Sequence, residues 1–224
     1  MPRTVEPFLG EVNDLLLRMG GRAEAILAKA LRALAERSAA LAAEVQEDDL
    51  EIDRLDVAID DAVLRSIALQ APVADDLRRL LAAYDMATNL ERVGDIARNI
   101  AKAAARMAEQ APLAPPASFE ALVADSQAML RDALDAFVQR DTGAARRLLE
   151  RDQQVDDEQD EVIRSALARI QEDPTRSSQL VDLIQVAKNL ERVADHATNI
   201  AELVLLIVEG RNVKHADKLA RSAT

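Results

Sequence analysis

The chain has 224 residues, 49% of them hydrophobic and 30% charged, and its 40 acidic against 28 basic side chains leave a formal net charge of −12. That balance would be repelled by a nucleic-acid duplex or an anionic lipid surface, which argues against nucleic-acid binding and against direct membrane docking. There is no Cys, so disulfides, iron–sulfur clusters and thiolate metal sites are excluded.

Aromatic residues make up 2% of the chain, and Ala and Leu dominate the apolar set. Such a composition favours helices over strands, and the length is enough to bury a real core. The opening MPRTVEPF has no apolar stretch of the kind a signal peptide needs. The most apolar run, residues 203–208, is too short to span a bilayer. The expectation is a soluble, cytoplasmic protein.

Taken in order, the pattern predicts a first helix over residues 5–36, with Ile26, Leu27, Leu31 and Leu34 on its apolar stripe. Gly20 and Gly21 interrupt it and suggest a kink or a close helix crossing. Ser38 is placed to cap a second helix over 39–70, with Ile52, Leu55, Ile59, Val63 and Ile67 turned inward. Pro72 ends that helix and suits the first turn of a third, over 73–109. Pro112, Pro115 and Pro116 mark a linker, which divides the chain into 1–111 and 112–224. Helices over 118–140, 144–172 and 175–209 repeat the plan, with a cap at Asp141, a turn at Asp173-Pro174 and a stop at Gly210. The tail, residues 211–224, has no apolar period and is expected to be loose. Short connections make neighbouring helices antiparallel, so the predicted fold is all-α: two tandem up-down-up three-helix bundles.

The repeat is most explicit in the third helix of each half. Residues 89–101 read NLERVGDIARNIA and residues 189–201 read NLERVADHATNIA, with ten of thirteen positions identical. Each copy runs an apolar stripe at helical spacing, through Leu90, Val93, Ala97 and Ile100 or Leu190, Val193, Ala197 and Ile200. On the face away from the stripe stand two acids four residues apart, Glu91 with Asp95 and Glu191 with Asp195. The middle helices repeat that spacing in Asp49 with Asp53 and Asp152 with Asp156. Four apart on a helix sets two carboxylates on one face, about 6 Å from each other.

Register brings these pairs together. In an antiparallel hairpin, residues equally far from the turn lie at one height. Asp53 with Glu91, and Asp49 with Asp95, are both centred on Pro72. Asp156 with Glu191, and Asp152 with Asp195, are both centred on Asp173-Pro174. Each half therefore gathers four carboxylates, and all-oxygen donors favour hard cations such as Mg, Ca, Mn or Fe. An outer face that is merely acidic and solvated is the alternative. Asn99 and Asn199 stand one turn further on as extra oxygen donors. His196, opposite Ile96 in the first copy, reads better as a packing residue than as a ligand. Arg78 and Arg79 near a helix start read as surface ion-pair partners. No Gly-rich phosphate loop, nucleophile–base pair or Glu-x-x-His motif occurs.

NLERVGDIARNI and NLERVADHATNIAE resemble the paired signatures of the PhoU family, and VADDLRRLL after Pro72 and VEGRNVKH at residues 208–215 resemble further segments of it. Ser38, where the family often has an acidic cap, and Ala194, in place of the usual Gly, depart from the pattern. The resemblance implies two similar three-helix bundles with multinuclear metal clusters on their surface. Iron or zinc is the implied metal, with Mn or Mg as alternatives, held by Glu91, Asp95, Glu191, Asp195, Asp49, Asp53, Asp152 and Asp156. It also implies a non-enzymatic homodimeric negative regulator of the phosphate-starvation response. Such a regulator bridges the ATPase subunit of the phosphate ABC transporter and a sensor histidine kinase, and meets the membrane only through them. A carboxylate-bridged metalloenzyme and a metal-free acidic adaptor are the competing readings.

Overall fold

A computed structural model describes residues 5–211 and residue 213, and among these every regular element is helical. The first half is α1 (Glu6–Ala35), α2 (Ala39–Gln70) and α3 (Asp75–Ala108). The second is α4 (Ala117–Gln139), α5 (Thr142–Leu149), α6 (Asp152–Glu172) and α7 (Ser177–Glu209), with one 3-10 turn at Pro174–Arg176. Of the expected loose tail only Arg211 and Val213 are described; the rest of it lies outside the described residues.

The boundaries follow local chemistry. The Ser38 hydroxyl accepts the Leu41 amide at 3.2 Å and the Asp141 carboxylate accepts the Ala144 amide at 3.0 Å, so both middle helices open on a capped turn. Gly210, at φ +69°, closes α7 in the left-handed conformation that glycine adopts without strain. The Gly20–Gly21 pair does not interrupt α1. A methyl group on Gly20 would come within 2.9 Å of Leu134 on α4, so this glycine marks a close crossing between the halves rather than a kink.

One predicted helix is broken. Instead of running unbroken over 144–172, the middle rod of the second half stops at Leu149 and resumes at Asp152. Glu150 and Arg151 keep right-handed helical φ and ψ, so the rod bends through a turn without reversing. Arg151 makes the break worthwhile: from it, the guanidinium reaches Asp132 at 2.5 Å and Asp125 at 3.4 Å on α4.

α3 and α7 hold the two halves together. Each is the inner helix of its own bundle, and the two lie against each other antiparallel. Their apolar stripes, through Leu90, Val93 and Ile100 and through Leu190, Val193 and Ile200, are wholly buried. Full burial of such side chains is worth about 1.5–3 kcal/mol each, which makes these helices the spine of the molecule. Polar contacts fix the join at its far end. Arg106 on α3 donates to the buried Asp182 on α7 through Nε at 3.0 Å, and Gln179 donates to the Ala111 carbonyl at 2.6 Å. Arg37 donates to the carbonyls of Ala108 and Gln110 and so ties the linker to the end of α1.

Candidate functional site

The hairpin register brings the expected acids together. In the second half, burial and then the charges of Asp195, Asp156 and Asp152 push Glu191 up to about 7, against a smaller opposing effect of Arg192. Glu191 thus senses the other three acids of that half. In the first half Glu91 is also raised, by burial first, then by Asp95, Asp56 and Asp53, with Arg92 opposing.

The first half differs from its expected layout at Asp49. This residue is not on an open acidic face: it is only 2% exposed. Two neighbours make that position tenable. Gly94 supplies the space, since a Cβ there would stand 2.8 Å from the Asp49 Oδ1 and 3.1 Å from Ile52. Arg98 supplies the charge: it donates through Nη1 to Asp49 Oδ2 at 2.5 Å and through Nη2 to Asp95. Arg92 donates to the other oxygen of Asp95 at 3.1 Å. Burial nevertheless raises the Asp49 pKa, with Arg98 pulling it down and Asp53 and Asp95 pushing it up. A protein cation therefore already sits between two of the four expected ligands.

In the second half the residue equivalent to Arg98 is Thr198, whose hydroxyl donates to the Asp195 carbonyl at 2.7 Å. Ala194 stands where the first half has Gly94, and Asp152 is half-buried rather than buried. Among the described residues, no three carboxylates or imidazoles already stand in a metal-holding arrangement. The donor set of the second half does fit a hard cation chemically. It is all oxygen, and Glu191 holds its proton to near-neutral pH because it is partly buried and its neighbours are negative. The first set fits less well, because Arg98 occupies the middle of it.

Residues outside the expected ligand set also take part. Asp56 belongs to the first cluster, where burial first and then Asp60 and Asp53 raise it. Its spacing carried the signal, because Asp56 is one helical turn from both Asp53 and Asp60. Asn89, the first residue of the first signature, accepts from Asn199 at 3.1 Å, and His196 Nδ1 lies 2.9 Å from the same oxygen. His196 is thus a packing residue at the α3–α7 join. Burial, then Arg192 and Arg92, lower it to about 4, so it is neutral at pH 7. Asn99 is exposed. Arg78 pairs with Asp75 at 2.8 Å on the surface.

A tandem pair of three-helix bundles, each with acids gathered on its inner hairpin, defines an all-helical repeat scaffold. Comparison with known proteins gives it a family. The PhoU domain pattern matches residues 16–104 and again 120–204; the chain belongs to the PhoU family of phosphate transport accessory proteins. It is 38% identical over 213 residues to the phosphate-specific transport system accessory protein PhoU homolog of Zymomonas mobilis, covering 94% of this chain and 90% of that one. To the PhoU accessory protein of Escherichia coli K12 it is 31% identical over 207 residues, covering 92% and 86%. The crystal structure of PhoU from Pseudomonas aeruginosa superposes with a TM-score of 0.87 at 33% identity, over 92% of this chain and 99% of that one. That of the phosphate transport system regulatory protein PhoU from Streptococcus pneumoniae gives 0.85 at 26% identity, over 94% and 99%. No described helix is long and apolar enough to cross a membrane.

Proposed function

We propose that this protein is a cytoplasmic accessory regulator of phosphate uptake. In this reading it represses the phosphate-starvation response by bridging the transporter's ATPase subunit and a sensor histidine kinase, and works as a pair of identical copies. The observation that carries the reading is that both halves match the PhoU domain, with a doubled signature at residues 89–101 and 189–201. Regulation of this kind is a shift in population between partner-bound states, and any chemistry stays with the partners. Deleting the gene tests it. Starvation genes should then be expressed while phosphate is plentiful, and a copy restored in trans should silence them. Normal repression in the deletion strain would remove the regulatory reading.

The metal reading is narrower than the family resemblance alone implies. Asp152, Asp156, Glu191 and Asp195 are proposed to hold iron or zinc, with Mn or Mg as alternatives. Asp49, Asp53, Glu91 and Asp95 are proposed to bind more weakly, because Arg98 must give way first. A bound cation supplies positive charge that offsets the mutual repulsion of the carboxylates. A ligand that binds only the folded chain stabilises it by mass action, so a chelator should lower the melting temperature. The double change Glu191→Ala and Asp195→Ala should remove most of the bound metal, and Glu91→Ala with Asp95→Ala much less. Equal losses from the two pairs would remove the proposed ranking, and no loss from either would reduce both clusters to solvated surface.

A further inference from the structure

At one end of the crossing between the two halves lies a cavity of about 400 Å³, within the size range of small-molecule sites. The first turns of α1, the start of α3 and the last turns of α4 and α7 enclose it. Leu16 and Val204 form its buried wall, and three large apolar side chains stand open around them. Leu17, Val138 and Val208 are 42%, 58% and 44% exposed and come from three different helices. Apolar side chains that converge on one hollow from separate helices mark a site that something covers. Gly10 lines the same hollow from α1, and a Cβ on it would meet nothing within 4 Å. Packing within the chain does not require glycine there, although glycine weakens a helix interior. The open space is what remains to be filled.

Two cations give the hollow its sign. Arg79 and Arg140 line it, against a single carboxylate, Glu6. Arg78, next to Arg79, is held by Asp75 at 2.8 Å, but no ion pair among the described residues takes up Arg79 or Arg140. The opposite end of the same crossing differs. There a second apolar hollow is bordered by the linker residues Pro112, Leu113 and Pro115. Its guanidinium, Arg37, is already committed to the carbonyls of Ala108 and Gln110. The chain's own ends suit the first hollow poorly. Residues 1–4 and 214–224 carry Arg3, Lys214, Lys218 and Arg221 against Asp217 alone, and so share the sign of its guanidiniums.

We propose that this hollow binds a small anionic amphiphile, a medium-chain fatty-acid carboxylate taken from solution. Its chain lies against Leu17, Val138 and Val208, and its head meets Arg79 and Arg140, whose planar forks match a carboxylate. A closed-in hollow of this volume fits one chain rather than a bilayer, and the net charge of −12 opposes an anionic lipid surface. The inference is independent of both the regulatory and the metal reading. Because both halves line the hollow, an occupant stabilises their join by mass action.

Calorimetric titration of the full chain with decanoate, below its micelle concentration and in chelator, tests the assignment. Decanoate should bind once per chain and raise the melting temperature. Octanoate should bind about tenfold more weakly, because two buried methylenes are lost. Arg79→Gln with Arg140→Gln should weaken decanoate by about tenfold or more and leave decanol unaffected. Gly10→Phe puts a ring into the hollow. It should abolish binding of both ligands while keeping the parent's helical circular dichroism and melting temperature. No saturable binding of decanoate overturns the proposal, and so does equal binding of decyltrimethylammonium. Decanoate binding that survives Gly10→Phe places the ligand elsewhere and overturns it too. Displacement of decanoate by inorganic phosphate would make this a simple anion site, and co-sedimentation with phosphatidylglycerol vesicles would make it a membrane contact; either result overturns the assignment.

Discussion

The two acidic sites of this molecule start from nearly the same thirteen residues and end with different electrostatics. Only three positions differ, and each accounts for part of the divergence. Gly94 against Ala194 decides whether the middle-helix aspartate can sink beneath the signature helix. At Gly94 it does, and Asp49 is buried; with a methyl already present at 194, Asp152 stays half-buried. Arg98 against Thr198 decides whether the buried charge is met by the protein's own guanidinium. Ile96 against His196 decides what stands at the α3–α7 join, where the imidazole meets Asn89. Duplication has left one site that stabilises itself and one whose Glu191 holds its proton to about pH 7. A cluster that resists ionisation has more to gain from an added cation than one with its cation built in.

The sharpest way to break this comparison is to remove the built-in cation. Arg98→Met leaves Asp49 buried without its partner. Losing one member of a buried pair costs about 3–5 kcal/mol, and because Arg98 is itself 34% exposed the expected loss at pH 7 is near the lower end. Thr198→Val, at the equivalent position, should stay within about 0.5 kcal/mol, as surface changes usually do. Denaturant unfolding in chelator measures both, and similar costs would mean that Arg98 is only a surface ion pair. Gly94→Ala is the smaller, second test. The added methyl must displace Asp49 and Ile52, an overpacking cost of about 1–3 kcal/mol. The gain in helix propensity returns about 1 kcal/mol of that. A net loss is expected, with Arg98 freed from Asp49; a stabilised variant would show that the carboxylate was not confined there.

Much of this was legible before any coordinates. Period and punctuation gave the rods and the caps at Ser38 and Asp141, because an amphipathic helix writes its own face and its own ends. The hairpin centres at Pro72 and Asp173-Pro174 predict common heights for the acids, and Glu191 does sense the charges of Asp195, Asp156 and Asp152. What periodicity could not give was depth. Asp49 stands four residues past Val45 and three before Ile52, at the edge of the buried stripe, but the space that takes its carboxylate under is the missing Cβ of Gly94 on another helix. Nor does spacing within one helix foretell a contact between halves. Asn89 meets His196 and Asn199 only because α3 and α7 pack antiparallel. The break at Glu150–Arg151 was hidden for a similar reason. Its residues are helix-compatible, and the reward, the reach of Arg151 to Asp125 and Asp132, lies on another helix. The difference in the sequence that carried most of the missing detail is Arg98 against Thr198.

The smallest effect concerns pH, and it also separates the two residues that make the second half distinct. Glu191 is raised from 4.5 to about 7, so the folded chain holds a proton there that the unfolded chain releases. Its contribution to stability is fully present below pH 4.5 and is lost as pH rises through 7. His196 is lowered from 6.5 to about 4, so the unfolded chain takes up a proton that the folded chain refuses. Its contribution is present above pH 6.5 and is lost as pH falls through 4. The two slopes oppose each other over much of the same range, so the parent's own profile in chelator hides both. Single variants unmask each part. Glu191→Gln should gain on the parent steadily from pH 4.5 to 7. His196→Ile, which restores the first half's residue and leaves Asn199 still donating to Asn89, should gain on the parent as pH falls from 6.5 toward 4. If Glu191→Gln tracked the parent in parallel at every pH, neither burial nor the three acidic neighbours would be holding the Glu191 proton, and the contrast between the two sites would rest on Arg98 alone.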